Sequence, residues 1–304
     1  ALLGEYSYLL RRLLLLPRAA ADVHAFAYPP TQRGAPAMAP RNPHTRLATH
    51  EVTNQPPPLE DVNLYESHRA LKDAVMKFGG AAHARALSEF GARCGSAEVI
   101  EWGALAQKYP PQLKTFDRYG QRLDEVEYHE AYHRLMALGL KAGVAAAAWR
   151  AKEAGPMSMT YAAIPALRAE PHVAKEWEPR ATTLDYDPRF IPASEKRAAT
   201  LGMAMTEKQG GSDVRANSTR AHGMGNGVYE LSGHKWFCSA PMCDAFLTLA
   251  QTEAGLTCFL APRWRPDGTR NAFHIMRLKD KLGDRSNASS EIEYHGAYAL
   301  RVGE

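Results

Sequence analysis

The residues best placed to do chemistry lie in the run Gly202-Met203-Ala204-Met205-Thr206-Glu207-Lys208-Gln209-Gly210-Gly211-Ser212-Asp213. Met203 and Met205 alternate along a short extended stretch that ends in a hydroxyl, a double glycine and Ser-Asp. Glycine has no Cβ to hold a ligand off, so a strand ending in Gly-Gly can bring bare backbone N–H groups to an anion. Thr206 and Ser212 flank that turn with hydroxyls that both donate and accept. A second run, Gly233-His234-Lys235-Trp236-Phe237-Cys238-Ser239-Ala240, again sets an aromatic strand end beside a hydroxyl. On residue chemistry alone, a polar-ended hairpin and a ligand cradle both fit the first run.

The elements that must position these runs divide the chain by period. From Leu64 to Ala199 the apolar spacing is helical, with Ala70-Leu71, Ala74-Val75 and Phe78, then Leu135, Leu138 and Val144, on repeating faces. Gly79-Gly80, Gly91, Pro110-Pro111 and Gly155-Pro156 punctuate that stretch. Near Leu201 the period falls to two, and 228–231, 245–250, 256–260 and 291–294 read as strands between glycine turns. The pattern predicts an α+β chain: a leader at 1–46, a helical N-terminal domain at 47–200, and a small β-barrel or sandwich at 201–304. His129 and His133 have metal-ligand spacing but no carboxylate partner placed by a motif, and they read as ordinary surface histidines. The cluster Glu195-Lys196-Arg197 reads as a solvated face.

Charge narrows the partners. The 304 residues carry 37 basic and 33 acidic side chains, a formal excess of +4. The first 50 residues hold six arginines against Glu5 and Asp22, which accounts for the whole of that excess. The remainder is balanced and offers no basic footprint for a phosphate backbone. Leu9-Leu10-Arg11-Arg12-Leu13-Leu14-Leu15-Leu16-Pro17 is too short and too charged to span a bilayer. Residues 1–46 suit either a disordered upstream segment, with Met38 as a candidate start, or an arginine-rich organelle transit peptide. The first reading places the protein in the cytoplasm, the second in mitochondria. Cys94, Cys238, Cys243 and Cys258 lack zinc-knuckle spacing and read as buried thiols of a reducing compartment.

Together the two runs resemble the acyl-CoA dehydrogenase family of flavoproteins, which holds FAD with Thr-Glu-Pro-x-Ala-Gly-Ser-Asp and Gly-x-Lys-x-Trp-Ile-Thr/Ser-Asn motifs. Thr206-Glu207 and Gly211-Ser212-Asp213 match the first motif, with Lys208 for its proline and Gly210 for its alanine. Gly233, Lys235 and Ser239 match the second, with Phe237 where the family has tryptophan. These departures, and the later run Arg277-Leu278-Lys279-Asp280-Lys281-Leu282-Gly283 followed by Arg285-Ser286-Asn287-Ala288-Ser289-Ser290-Glu291, resemble the AidB-like branch. The resemblance extends from about Thr49 to the last residue.

The resemblance implies an FAD-dependent oxidoreductase acting on CH–CH groups of an acyl-CoA-like small molecule, in an oligomer. It implies a cofactor site of Met203, Met205, Thr206, Gly211, Ser212, Phe237, Cys238 and Ser239: Thr206 at the flavin's pyrimidine edge, Ser212 near the pyrophosphate, Phe237 on the ring and Ser239 toward N5. It also implies departures. The family's C-terminal four-helix bundle, which supplies the general base, has no counterpart before Glu304, so this reading expects a shortened copy and assigns no catalytic residue. Relatives carry a further helix where this chain has the short join 149–157, which predicts an apolar groove in the helical domain. The alternative function is DNA association in the response to alkylation damage, which the resemblance routes through the missing C-terminal region.

Overall fold

The computed structural model describes residues 55–146 and 158–303. The leader and the 149–157 join lie outside the described residues. The described residues divide into two compact units, one up to Ile100 and one from Glu101 onward. The change of period at residue 200 therefore marks a change of secondary structure, while packing divides much earlier.

The first unit contains α1 (Arg69–Lys77), α2 (Ala84–Cys94) and the start of α3 (Ala97–Lys108). His68 Nδ1 accepts from Leu71 N–H and caps α1, whose Leu71 and Val75 face inward. Asn63 ties the incoming chain to α2, with its Nδ2 donating to Ser88 O at 3.0 Å and its Oδ1 accepting from Tyr65 N–H at 3.0 Å.

The second unit opens with a hairpin of β1 (Gln112–Phe116) and β2 (Arg122–Glu127) inside the stretch expected to be helical. Its period of two is largely polar, with Leu113 and Val126 the inward apolar positions, and so gives little hydrophobic signal. Then come α4 (Glu130–Lys141), α5 (Ser158–Arg168) and α6 (Pro171–Ala181). The remaining strands are β3 (Leu201–Ala204), β4 (Arg220–Gly225), β5 (Val228–Ser239), β6 (Ala245–Thr252), β7 (Gly255–Pro262), β8 (Phe273–Leu278) and β9 (Ser289–Val302). β3 pairs with both β5 and β6, β6 with β7, β7 with β9, and β9 back to β5, so the ladder closes into a small barrel. A helical first half followed by a β-rich second half is the expected α+β class. No helix among the described residues is long and apolar enough to cross a membrane.

Alternation sorts the barrel strands between two cores. Phe246, Phe259 and Ala261 join Leu231, Cys238, Phe273, Ile275, Ile292 and Tyr294 in one cluster. Their neighbours Ala245, Leu247 and Leu260 pack instead against Ile164 and Leu167 of α5 and Val173 and Trp177 of α6. Burial on both faces explains why 245–250 reads as an apolar run interrupted only by Thr248. One sequence expectation changes here. Lys196 is 8% exposed and ion-paired to Asp244 rather than on a solvated face, because its ammonium reaches a carboxylate at the foot of β6. His129 caps α4 by accepting from Ala131 N–H, and His133 Nδ1 lies 2.8 Å from Tyr186 Oη, so each ring has a local structural partner.

The hairpin covers the outer edge of β8 through one buried aspartate. Asp124 accepts from Ile275 N–H at 3.0 Å and from Arg122 Nε at 2.7 Å, and its carbonyl accepts from the fully buried Arg263 at 2.8 Å. Burial and the neighbouring Arg270 lower the Arg263 guanidinium to about 10. Asp124→Ala strands the buried Ile275 N–H, and we expect chemical denaturation to show a loss of about 2–3 kcal/mol. A loss below about 0.5 kcal/mol would show that the hairpin is not anchored through this residue.

Candidate functional site

The two glycine-containing runs meet along one antiparallel seam. Met203 pairs with Ser239, and three residues on, Thr206 O accepts from Trp236 N–H at 2.7 Å. That bond exists because β5 carries a bulge. Lys235 pairs with Ile292 and Cys238 with Ser290, so three steps on β5 oppose two on β9. The bulge turns the Trp236 N–H away from β9 toward the first run and lets Lys235 and Cys238 both face inward.

Beneath the seam lies a buried ion pair. Glu207 is 0% exposed and Lys235 is 1% exposed, with Nζ 2.8 Å from Oε1. Lys235 also donates to Leu249 O at 2.7 Å. Glu207 takes four more donors: Thr219 N–H at 3.1 Å, Ser218 N–H at 2.6 Å, Ser218 Oγ at 2.8 Å and Gln209 Nε2 at 3.2 Å. Burial by itself would raise the Glu207 carboxyl, but hydrogen bonds from Lys235, Thr219 and Ser218 outweigh it and hold the group well below the usual carboxylate range. Burial pulls the Lys235 ammonium below its ordinary value, with Glu207 opposing.

Above the pair, the loop 208–213 is largely exposed. A Cβ on Gly211 would sit 2.5 Å from Thr206 Oγ1, so only glycine lets the loop fold back onto that hydroxyl. A Cβ on Gly210, whose φ is 129°, would meet nothing within 4 Å, so the space over the turn is open. Gly210 N–H is bound to Glu207 O, while Gly211 and Ser212 N–H groups bond no described residue. Asp213 turns away to cap 214–216 through Arg215 N–H. Thr219 and Thr248 spend their hydroxyls on backbone carbonyls, at 3.0 and 2.7 Å. The Thr206, Ser212 and Ser239 hydroxyls are not committed to any described residue in this way.

The residues anticipated from sequence take different places. Met203 and Met205 are half-buried against the α5–α6 cluster. Phe237 is 43% exposed and has Lys279 Nζ 4.9 Å from its ring centroid, so it offers an aromatic face to solvent. Cys238 points the other way: its thiol is fully buried in the barrel core and raised by burial, so only its backbone lies along the seam. The residues the sequence did not single out are Ser218, Thr219 and Asn217, whose Nδ2 donates to Met205 O at 3.0 Å. No spacing signal marks them, since they act from a loop on the backbone and carboxylate of the first run.

The chemistry of the site follows from this arrangement. A row of hydroxyls and two uncommitted N–H groups can bind the polar edge and anionic linkage of a flat cofactor, while Phe237 can stack on its ring. Glu207, saturated with donors and buried, is unsuited to general-base work. Its stabilising contribution is complete above the ordinary glutamate value of 4.5 and is lost as pH falls from there through the depressed folded value. Glu207→Gln, which leaves Lys235 buried without its counter-ion, is expected to cost about 3–5 kcal/mol near neutral pH. It should also flatten the acid limb of stability against pH in denaturation curves, and an unchanged acid limb would place that titration elsewhere.

Comparisons with known proteins bear on the same residues. The model of the adaptive response protein AidB N-terminal domain matches residues 54–155 and 151–188, and that of the acyl-CoA dehydrogenase middle domain matches residues 202–297. Putative acyl-CoA dehydrogenase AidB of Escherichia coli (strain K12) is 44% identical over 278 residues, covering 84% of this chain and 51% of that protein. Acyl-CoA dehydrogenase family member 11 of Caenorhabditis elegans is 31% identical over 252 residues, covering 72% of this chain and 40% of that protein. The chain thus spans about half the length, or less, of these curated relatives. Among solved structures, Caenorhabditis elegans ACDH-11 in complex with C11-CoA superposes with a TM-score of 0.68 at 27% identity, covering 86% of this chain and 50% of that one. The apo-form of Bd2924 superposes with a TM-score of 0.71 at 26% identity, covering 81% of this chain and 55% of that one. With both domain models matched in order and the two motif runs joined in one seam, this chain belongs to the acyl-CoA dehydrogenase family, in its AidB-like branch.

Proposed function

We propose that this chain binds FAD along the 203–206 and 237–239 seam and serves an oxidoreductase that acts on CH–CH groups of acyl-CoA-like thioesters. The observation that carries this reading is the seam itself: the Glu207–Lys235 pair and the Trp236 N–H to Thr206 O bond bring three uncommitted hydroxyls, two uncommitted N–H groups and an exposed aromatic ring to one edge. These groups fit the cofactor. Thr206 and Ser239 would hydrogen-bond the polar edge of the flavin ring, Phe237 would stack on it, and Ser212 with the Gly211 and Ser212 N–H groups would face the pyrophosphate. When bound, FAD supplies two-electron redox chemistry that no side chain provides. The protein's part is to hold that ring at a fixed edge and keep Glu207 out of proton transfer. The match to the acyl-CoA dehydrogenase middle-domain model and to a relative solved with an acyl-CoA supports the thioester class as substrate.

The test is an FAD titration of the purified chain followed by visible absorbance. Thr206→Ala and Ser239→Ala should each weaken FAD binding about 3- to 10-fold, the weight of one hydrogen bond of roughly 1 kcal/mol. Neither should change the thermal midpoint of the apo chain, since neither hydroxyl bonds a described residue. Unchanged FAD affinity in both variants would refute the assignment of the seam.

A further inference from the structure

β3 is the strand that delivers Met203, Met205 and Thr206, yet it is only four residues long. It pairs in parallel with β6 through Leu201↔Ala245, Gly202↔Phe246, Met203↔Leu247 and Ala204↔Thr248, and with β5 through Met203↔Ser239. Parallel pairing is slightly weaker per residue than antiparallel, and a one-residue slip would turn every side chain to the opposite face. Several features outside the motif oppose that slip. Asp244, at the foot of β6, accepts Lys196 Nζ at 2.6 Å on one oxygen and Thr200 N–H at 2.8 Å on the other. Its own N–H returns to Thr200 O at 2.9 Å. Thr160 of α5 accepts Leu201 N–H at 3.0 Å. A Cβ on Gly202 would meet the Phe246 ring at 2.6 Å and Ser239 O at 2.9 Å, so neither Leu201 nor Met203 fits that slot.

We infer that buried Asp244, its charge neutralised by Lys196, positions β3 in register together with Thr160 and thereby presents 203–212 to the cofactor. The inference rests on the FAD reading above. An ion pair in such a place adds little net stability over a well-packed apolar pair. Its consequence is positional, because the carboxylate satisfies both oxygens only when Thr200 stands opposite it. Asp244 and Thr160 are positioning residues, acting through the backbone of β3 and its entry residue, and Lys196 is the counter-ion of the first.

The test pairs amide hydrogen exchange with FAD titration on the full chain. In Lys196→Met/Asp244→Leu, protection of the 201–206 amides should fall about 100-fold while β7 and β9 keep theirs. FAD binding should weaken at least about tenfold. Lys196→Met/Asp244→Asn keeps an oxygen for Thr200 N–H and should restore both readouts to within about threefold of the parent. If the leucine variant fails to fold, Thr160→Val, which removes the acceptor for Leu201 N–H at constant shape, is measured instead with the same expectation. Unchanged protection, protection lost with FAD affinity kept, or failure of the asparagine rescue would each overturn the inference. If the parent chain binds no FAD, the cofactor reading falls by itself, and the exchange data still decide whether Asp244 sets the register.

Discussion

Glu207 and Lys235 come from two stretches separated by 28 positions, and their contact makes one site of them. Each charge would be costly in the barrel wall alone. Paired, and surrounded by Ser218, Thr219, Gln209 and the Leu249 carbonyl, they form a small polar island in an apolar shell. The groups proposed to face the cofactor are hung from that island. The loop with its double glycine begins one residue after Glu207, and the aromatic bulge begins one residue after Lys235.

Barrel closure supplies the rest of the rigidity. Because β3 reaches both β5 and β6, the strand that leads into Thr206 is held on two sides despite its length. Thr248 Oγ1 and Asn217 Nδ2 bond the Ala204 and Met205 carbonyls where the regular ladder runs out. Strand alternation then sends Ala204 into the barrel core and leaves Met203 and Met205 against the α5–α6 cluster. The bulge at 236–237 breaks the alternation of β5 at the point where an aromatic ring is turned outward.

Much of this was legible in the sequence because it was written in period and in glycine. The change from helical to alternating spacing located the barrel, and the Gly-Gly turn with its flanking hydroxyls located the loop. What was not legible depended on distance in the chain. The β1–β2 hairpin was hidden because Lys114, Glu125 and Glu127 give it a polar alternation that no apolar template detects. Lys196 sits in a charged triplet that reads as solvated, and only the fold brings Asp244 to it. Cys238 was grouped with the cofactor residues by its neighbours, but the bulge puts its thiol inside. Glu207 and Lys235 were both visible as motif residues, yet nothing in the spacing showed that they pair.

Whether the two segments form a single FAD site is decided most directly by backbone NMR of the chain titrated with FAD. A single site gives saturable shift changes concentrated in 206–212 and 237–239, appearing together with one affinity. Shifts in only one segment, shifts centred elsewhere, or no shifts at saturating FAD would contradict it.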